Sequence, residues 1–450
     1  MPGPVAVFNR GTKMSVELNR GVAPNTGMAT SGWWHGGSWH DFITDSIPTF
    51  VDQEAVIFTN SFAGRRAMNQ QQPVVGRKWS EGDVSVPAVG DSLGLLLYGA
   101  MGDASTNALP TGVLLAAVGV GGSHNLTTQP NNGGREGGRH LRFTMANQTD
   151  GGTISVCGLD IDGNGASESI TFRNNGVYYS RTAYSSIGNS GITITGISGG
   201  SIAVTAMDGF QHRFTPASGS SGVTFSIQSF GNPAAGATSR MFVHTGMVLK
   251  ELTLESDAAA PDALFMATAT YEGDPTATCT AGSLNSASPM RIWPAWGLQV
   301  RRDPQNTPGN TTVWNKVTNF SMTVNAGGRN YNVANNSQRP AGTFYGGYEV
   351  TGEMTLLVDD EVEFLRWQAA SQHGIHALWT SPWKLSATSN MTLSASLNHL
   401  FIETYPAATD DDGAQSIGLS FRTIDGNDFP VRFLLQNNVP PMGYGLSGAC

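Results

Sequence analysis

The clearest alternation of apolar and polar side chains runs through residues 346–371. Apolar or small residues occupy every second position in its first half, at Val350, Gly352, Met354 and Leu356. This period of two predicts a β-strand with one dry face and one wet face. The spacing then changes to three and four after an acidic segment at residues 359–361, with Val362, Leu365 and Ala369. The second half therefore predicts a short amphipathic helix with negative charge at its N-terminus.

The same strand-and-helix unit occurs earlier in the chain, at residues 79–102. When the two stretches are aligned, Gly82 corresponds to Gly352 and Asp91 corresponds to Glu361. Two more pairs of strands extend the similarity, residues 267–274 with residues 420–427 and residues 252–254 with residues 322–324. Because strand, helix and closing strand occur twice in the same order, the sequence predicts a duplicated β-domain.

A strand of the form V-x-G-x-[ILM]-T, an acidic turn and a short helix together resemble the tail tube proteins of tailed bacteriophages of the siphovirus type. The strand at residues 416–421 resembles the same family. The resemblance covers residues 75–103 and 211–435, in two halves. It implies an all-β fold with two tandem tail-tube-type β-sandwich or barrel domains, each with a short helix. It also implies a structural function, that of the major tail tube protein.

Residues 108–207 differ in character, since short strands recur there between Gly-rich and Asn-rich turns. Strands at a spacing of ~10 residues predict a small β-sandwich. The run T-I-S-V-C-G-L-D-I-D-G-N at residues 153–164, followed by Ser167, Glu168 and Ile170, also resembles an immunoglobulin-like module of phage structural proteins. We expect an N-terminal arm with the first strands at 1–74, tube domain 1 at 75–107 and 208–285, an inserted immunoglobulin-like sandwich at 108–207, and tube domain 2 at 286–450. Small and polar residues at 275–312 are expected to link the two domains.

Composition and charge narrow the classes of function. Charged residues make up 13% of the chain, glycine occurs 56 times, and the formal net charge is -9. An acidic chain is not expected to bind nucleic acid, but it suits a surface past which DNA slides without sticking. The odd set Cys157, Cys279 and Cys450 is no disulfide framework, which fits assembly in the host cytoplasm. No signal-peptide core and no apolar run long enough to span a membrane occur, so no membrane association is expected.

The sequence contains no motif typical of catalysis, neither G-x-S-x-G nor H-E-x-x-H nor a phosphate-binding loop. We therefore expect no enzymatic activity, no cofactor and no metal. Asp160, Asp162 and Asn164 match half of a calcium loop, but Thr171 stands where the bidentate Glu belongs, so a hairpin turn is the better prediction. His35 and His40 lack a third ligand nearby. His373 and His376 are expected to pack in the core or at an interface.

Two stretches are candidates for contacts between subunits. In tube proteins a long loop at the position of residues 325–341 reaches the neighbouring ring, and a mobile surface loop is the alternative. The candidate stacking residues are Arg329, Asn330, Tyr331, Asn332, Asn335 and Asn336. An aromatic cluster at Trp33, Trp34 and Trp39 is expected to pack the N-terminal arm onto a neighbouring subunit or onto the core.

The resemblance also implies an assembly and its partners. Two domains per chain predict a trimeric ring with pseudo-sixfold symmetry, and stacked rings would form the hollow tail of the virion. Phage DNA would pass through the lumen during ejection without specific binding. The tape measure protein and the tail terminator and distal tail proteins would be partners. The alternative is a carbohydrate-binding or receptor-binding virion or adhesion protein that uses the inserted module and the Trp-rich arm.

Overall fold

The computed structural model describes residues 12–16, 40–42, 49–57, 74–119, 121–130, 139–147, 151–160, 164–172, 175–180, 182–196, 199–217, 223–231, 240–275, 277–280, 291–303, 312–333, 339–358, 361–385, 389–406, 409–411, 414–424 and 430–439. Their fold is nearly all β, as the sequence predicts. No helix in the described part is long and apolar enough to span a membrane.

The chain begins with four strands and a helix: β1 (Thr12–Val16), β2 (His40–Phe42), β3 (Thr49–Ile57), β4 (Val74–Pro87) and α1 (Gly90–Met101). The next eight strands are β5 (Gly102–Gly119), β6 (Gly122–His124), β7 (His140–Ala146), β8 (Gly152–Asp160), β9 (Gly165–Phe172), β10 (Gly176–Tyr179), β11 (Tyr184–Thr195) and β12 (Ser201–Pro216). Then follow β13 (Thr224–Gly231), β14 (Arg240–Asp257), β15 (Met266–Gly273) and β16 (Ala277–Thr280).

The last part starts with a short 3-10 helix at Ala295–Gly297. After it come β17 (Leu298–Asp303), β18 (Thr312–Val313), β19 (Val317–Asn325), β20 (Arg329–Tyr331), β21 (Gly342–Phe344), β22 (Glu349–Leu357) and α2 (Val362–Gln368). The chain closes with β23 (His373–Lys384), β24 (Asn390–Thr404), β25 (Thr409–Asp411), β26 (Ala414–Thr423) and β27 (Val431–Asn437).

Eight strands form one continuous antiparallel sheet, which we call the long sheet. Their order is β3-β4-β15-β14-β19-β22-β26-β24. In its centre β14 pairs with β19, where Leu252 lies opposite Val324 and Leu254 lies opposite Met322. All four side chains are buried, because apolar residues alternate along both strands and face the core. The alternation predicted for Val350, Met354 and Leu356 is confirmed, since all three are buried.

A second layer of sheet covers the apolar face of the long sheet. It consists of β2-β1-β13-β14-β16 and of β18-β17-β23-β24-β27-β12-β5. The strands β14 and β24 belong to both layers, with their N-terminal halves in the second layer and their C-terminal halves in the long sheet. Each contains one residue of positive φ at its middle, Gly246 (φ 61°) and His399 (φ 52°). The two strands therefore change layers at matching places.

The order of strand pairing occurs twice. The first strand set is β1, β2, β3, β4, α1, β13, β14, β15 and β16. The second strand set is β17, β18, β19, β22, α2, β23, β24, β26 and β27, and within each set the strands pair with one another in the same order. Both sets share one apolar core.

Two of the sequence alignments differ from this order. Residues 252–254 and 322–324 are direct partners in β14 and β19, so aligning them as equivalents is wrong. Residues 267–274 and 420–427 do belong to counterpart strands, but the register is off by three, because Tyr271 lies opposite Gly82 and Phe421 lies opposite Gly352. Strands with similar Thr-rich alternation carry too little information to fix a register.

Residues 108–207 form two four-stranded sheets, β5-β12-β7-β10 and β6-β11-β8-β9. They enclose a core of their own, which includes Phe143, Ile154, Val156 and Val204. This is the two-sheet arrangement that the strand spacing predicts, and its immunoglobulin-like character stays a prediction. The strands β5 and β12 run without interruption from the second layer into this insertion as a paired ribbon.

The linker prediction for residues 275–312 is wrong over two segments. The strand β16 pairs with β14, and β17 pairs with β23. Trp293 is fully buried in the common core, where its ring lies 6.3 Å from that of Phe265. Small and polar residues suggested a linker, but single large apolar residues such as Trp293 anchor the segment.

Candidate functional site

The face of the long sheet that points away from the core carries mostly polar side chains. A row of hydroxyl residues crosses five strands, with Ser85, Thr268, Thr253, Thr323 and Thr351 opposite one another. Thr268 Oγ1 donates to Ser85 Oγ over 3.1 Å, and the hydroxyls of Thr253 and Thr323 are 2.9 Å apart. Because side chains alternate along each strand, the buried core on one face dictates this continuous polar surface on the other.

This polar face is acidic. Its carboxylates are Glu81, Asp83, Glu251, Glu255, Asp257, Glu272, Glu349, Glu353 and Glu403. Two cations lie among them. Lys250 Nζ is 3.7 Å from both Glu81 and Glu272, and Arg422 is 3.1 Å from Glu349 and 2.8 Å from Glu403. Nine carboxylates and two cations give these side chains a formal charge of -7. A polyanion gains no counterion release on such a surface and is not retained there.

The long sheet ends in two edges. Among the described strands, β3 pairs with β4 and has no neighbour on its other side. At the far end, β26 pairs with the end of β24 and with β25. Edge strands present a row of backbone donors and acceptors that can pair with another chain.

The helix α2 exposes its apolar side chains. Val362, Phe364, Leu365 and Trp367, which we call the α2 surface, are 38%, 37%, 51% and 37% exposed. Tyr405 extends it, with its ring 5.4 Å from Phe364 and 6.0 Å from Trp367. The predicted helix is confirmed, but its acidic Glu363 is the buried residue.

An ion pair explains why Glu363 is turned inward. Its carboxylate binds Arg302 of β17, and Arg366 lies 3.8 Å away. The Arg302 guanidinium also lies 5.6 Å from the ring of Trp314. A buried carboxylate requires such partners. This pairing fixes the rotation of α2, and the apolar side chains consequently face solvent.

The helix α1, by contrast, buries its apolar side chains. Leu93, Leu95, Leu96 and Leu97 are at most 1% exposed. The helix packs against β14 of its own strand set and against β24 and β27 of the second set. The side-chain amide of Asn437 in β27 donates to Gly90 O over 2.7 Å, and a Cβ on Gly90 would lie 3.0 Å from Met391 Sδ in β24. Elements of the second strand set therefore cover the helix of the first.

The candidate stacking residues lie at the start of a hairpin. Arg329, Asn330 and Tyr331 form β20, which pairs with β21, and Asn332 follows directly. Tyr331 is 44% exposed. Asn335 and Asn336 lie outside the described residues, so the structure brings only the first four together.

The base of the same loop is held against α1. The hydroxyl of Tyr345 donates to Gly99 O over 2.7 Å and accepts from Val223 N over 3.1 Å. This loop of the second strand set therefore fixes the C-terminal end of the first helix.

The other candidates from the sequence are the tryptophans of the N-terminal arm, two histidines and the turn at Asp160. Trp33, Trp34 and Trp39 lie outside the described residues. His373 is buried, and burial lowers its pKa to about 4, while His376 bonds to the Ser396 hydroxyl over 3.0 Å. The hairpin predicted around Asp160 is confirmed by the pairing of β8 with β9. The described part of the chain contains no group of three His, Cys, Asp or Glu side chains that could hold a metal ion.

Sequence reasoning missed the acidic face. Its signal was present, since Glu251, Thr253 and Glu255 alternate with buried Leu252 and Leu254. One strand shows only that a polar face exists. The strand order of the long sheet was needed to place the carboxylates of four other strands on the same face.

Comparison with known protein families gives a match that covers most of the chain. A family model described as "Phage tail tube protein" matches residues 56–425, which is 370 of the 450 residues. The match begins within β3 and ends after β26, and it includes the insertion. No curated protein matches the chain.

Proposed function

The chain belongs to the phage tail tube protein family, and we propose that it is the major tail tube protein, whose rings stack into the hollow tail. DNA passes through that tail during ejection. The protein is a structural component of the virion tail. It is made in the host cytoplasm and meets the tape measure, tail terminator and distal tail proteins as the tail assembles.

The observation that carries this proposal is the junction between β14 and β19. It joins two similarly ordered strand sets into one sheet. The counterpart of β14 is β24, and the counterpart of β19 is β3. Both counterparts lie at the edges of the long sheet. The pairing of β14 with β19 inside one copy can be repeated between copies. The end of β24, continued by β25, then pairs with β3 of the neighbouring copy.

Ring size follows from strand number. Three copies bring 24 strands, eight from each long sheet. At about 4.8 Å per strand, these close at a diameter of roughly 37 Å if untilted and roughly 48 Å at a tilt near 40°. A lumen of this size admits a DNA duplex, which is about 20 Å wide. One copy would close at roughly 12–16 Å and six at roughly 73–96 Å by the same arithmetic. Three copies therefore fit best, and they give a trimer with pseudo-sixfold symmetry.

The charge of the polar face suits a lumen. Its nine carboxylates with Lys250 and Arg422 carry -7 in each copy and -21 in a trimer, and Arg77 at the β3 edge is a third cation that alternation places on this face. Lys250 and Arg422 are both engaged by carboxylates, so they do not offer an isolated positive site for phosphate. DNA then moves past the wall without being held.

The insertion and the candidate stacking loop can also be placed in the ring. The ribbon of β5 and β12 leaves from the second layer, which lies on the side of the long sheet away from the polar face. The insertion therefore decorates the outside of the tube. The loop at residues 325–341, which includes β20, contacts the adjacent ring.

Electron microscopy of the purified protein tests this function. We expect rings and tubes with a lumen of roughly 25–40 Å after side chains are allowed for. Isolated particles at every protein concentration and salt would contradict the proposal and favour a receptor-binding virion protein.

A further inference from the structure

We propose that the α2 surface of one copy binds the next copy in the ring, and that it docks on the N-terminal half of β14 of that copy. This inference rests on the proposed ring, and it adds a specific pair of surfaces to it. The α2 surface and the N-terminal half of β14 would meet beside the joined edges of the long sheets.

The two helices differ in how much of their apolar surface is buried. Counterpart helices normally bury counterpart faces, yet the leucines of α1 are at most 1% exposed while the α2 surface is 37–51% exposed. Two aromatic rings and two aliphatic side chains clustered on one short helix, extended by Tyr405, form an apolar patch that a soluble protein ordinarily covers.

Elements of both strand sets cover α1. Besides its own strand set and the ribbon of β5 and β12, α1 touches β24 and β27, which belong to the next strand set along the sheet. The counterparts of β24 and β27 are β14 and β16. In the described part of the chain, no strand set lies beyond the second one. The elements that should cover α2 are therefore β14 and β16 of another copy.

A matching surface lies on β14. Aligning the positive-φ residues Gly246 and His399 places Phe242 at the position of Ala395. Ala395 is fully buried, whereas Phe242 is 37% exposed. Phe242 also shares the core-facing side of its strand with buried His244. An exposed aromatic residue thus lies where the second strand set has a covered one.

The α2 surface belongs to the second strand set, and the surface on β14 belongs to the first. A closed ring requires this arrangement, because the last set of one copy meets the first set of the next. A head-to-tail contact that closes after three copies uses each surface once per copy. The α2 surface lies beside β24, and Phe242 lies in the strand set that contains β3. The helix contact and the edge pairing consequently involve the same neighbour.

Two charge variants test the contact, each on a side chain that solvent already reaches. Leu365→Glu changes the α2 surface, and Phe242→Glu changes the surface on β14. Each buries a carboxylate in the proposed contact and should weaken association about 100-fold or more. The control is Leu159→Glu, since Leu159 is 43% exposed on the insertion. Circular dichroism and thermal unfolding confirm that each variant folds.

The decisive measurement is the mass in solution of the variants alone and mixed. We expect each of L365E and F242E alone to be a monomer of 47.5 kDa. An equimolar mixture should give dimers of twice that mass and no rings, because the intact α2 of F242E meets the intact β14 of L365E. The wild type and L159E should form rings.

The outcomes separate the two proposals. Rings from L365E or from F242E, or a mixture that stays monomeric, would overturn the contact while leaving the proposed ring standing. Wild-type protein and L159E that never form rings would overturn the proposed ring, and the contact with it.

Discussion

Gly352 in the V-x-G-x-M-T strand offers a sharp test of how adjacent strands of the long sheet pack. A Cβ built there would lie 2.3 Å from Phe421 Cζ and 2.5 Å from the backbone oxygen of Ser321. Ordinary contacts between such atoms are about 3.5–4.0 Å. An alanine therefore requires shifts of roughly 1 Å in a ring stacked on Phe320 and in the backbone of the adjacent strand β19.

The magnitude follows from two opposing effects. Overpacking costs about 1–3 kcal/mol, and we expect the upper end because neither neighbour is the tip of a flexible side chain. Replacing glycine by alanine returns about 0.5–1 kcal/mol by restricting the unfolded chain. Gly352→Ala should therefore destabilise the protein by about 2 kcal/mol, as measured by urea unfolding followed by circular dichroism.

Gly418→Ala is the matched control. Gly418 lies in the neighbouring strand β26, opposite Thr355, and a Cβ there meets no atom within 4 Å. Its variant should be as stable as the wild type or slightly more stable. Phe421→Leu in the G352A background should lessen the extra loss caused by G352A, since it removes the closest contact. Equal stabilities of G352A and G418A would refute the packing argument.

Three further predictions concern the other parts of the chain. Replacing residues 110–207 by a short Gly-Ser linker should leave rings and tubes intact with a thinner rim, because Ala108 and Phe210 are already paired partners; loss of assembly in electron micrographs would contradict it. Deleting residues 329–336 should leave soluble rings that no longer stack, and tubes of normal length in sedimentation would show that the loop has another role. Stability should fall as the pH drops from 6.5 towards 4, because burial lowers the pKa of His140, His244 and His373 to about 4 and that of His212 to about 3. The unfolded chain, with histidine pKa values near 6.5, binds more protons over this range, so unfolding in urea at pH 5 should cost about 1–2 kcal/mol less per histidine than at pH 7. Equal stability at the two pH values would contradict it.

The sequence was most informative where a single hydrophobic period extends through a whole strand or helix. The alternation at residues 350–356 predicted a strand and its buried side, and the structure confirms both. The amphipathic pattern predicted α2, yet its apolar residues are exposed. A pattern shows that a face is apolar, but not which surface covers it. Rotation of α2 is set instead by Arg302, which comes from a strand about 60 residues earlier, and no local pattern reveals that partner.

Long strands that contain irregularities were not predictable. Pro110 and Gly112 within β5 suggest a break, but the strand continues to Gly119. Pro110 lies opposite Met207 at a shift of register, the kind of place where a strand tolerates proline. The edge-to-edge order of the long sheet was equally hidden, because it depends on pairings between strands far apart in sequence. The acidic face follows from that order, and so it could not be placed before the strands were.

The mass of the assembled ring is the most direct test of the central claim. Rings purified at low protein concentration, so that they do not stack, can be weighed intact by native mass spectrometry. The account predicts three chains of 47.5 kDa, or 142.5 kDa, with 24 strands around the lumen. Six chains per ring, 285 kDa, would show that the two strand sets do not share one lumen wall, and it would contradict the account.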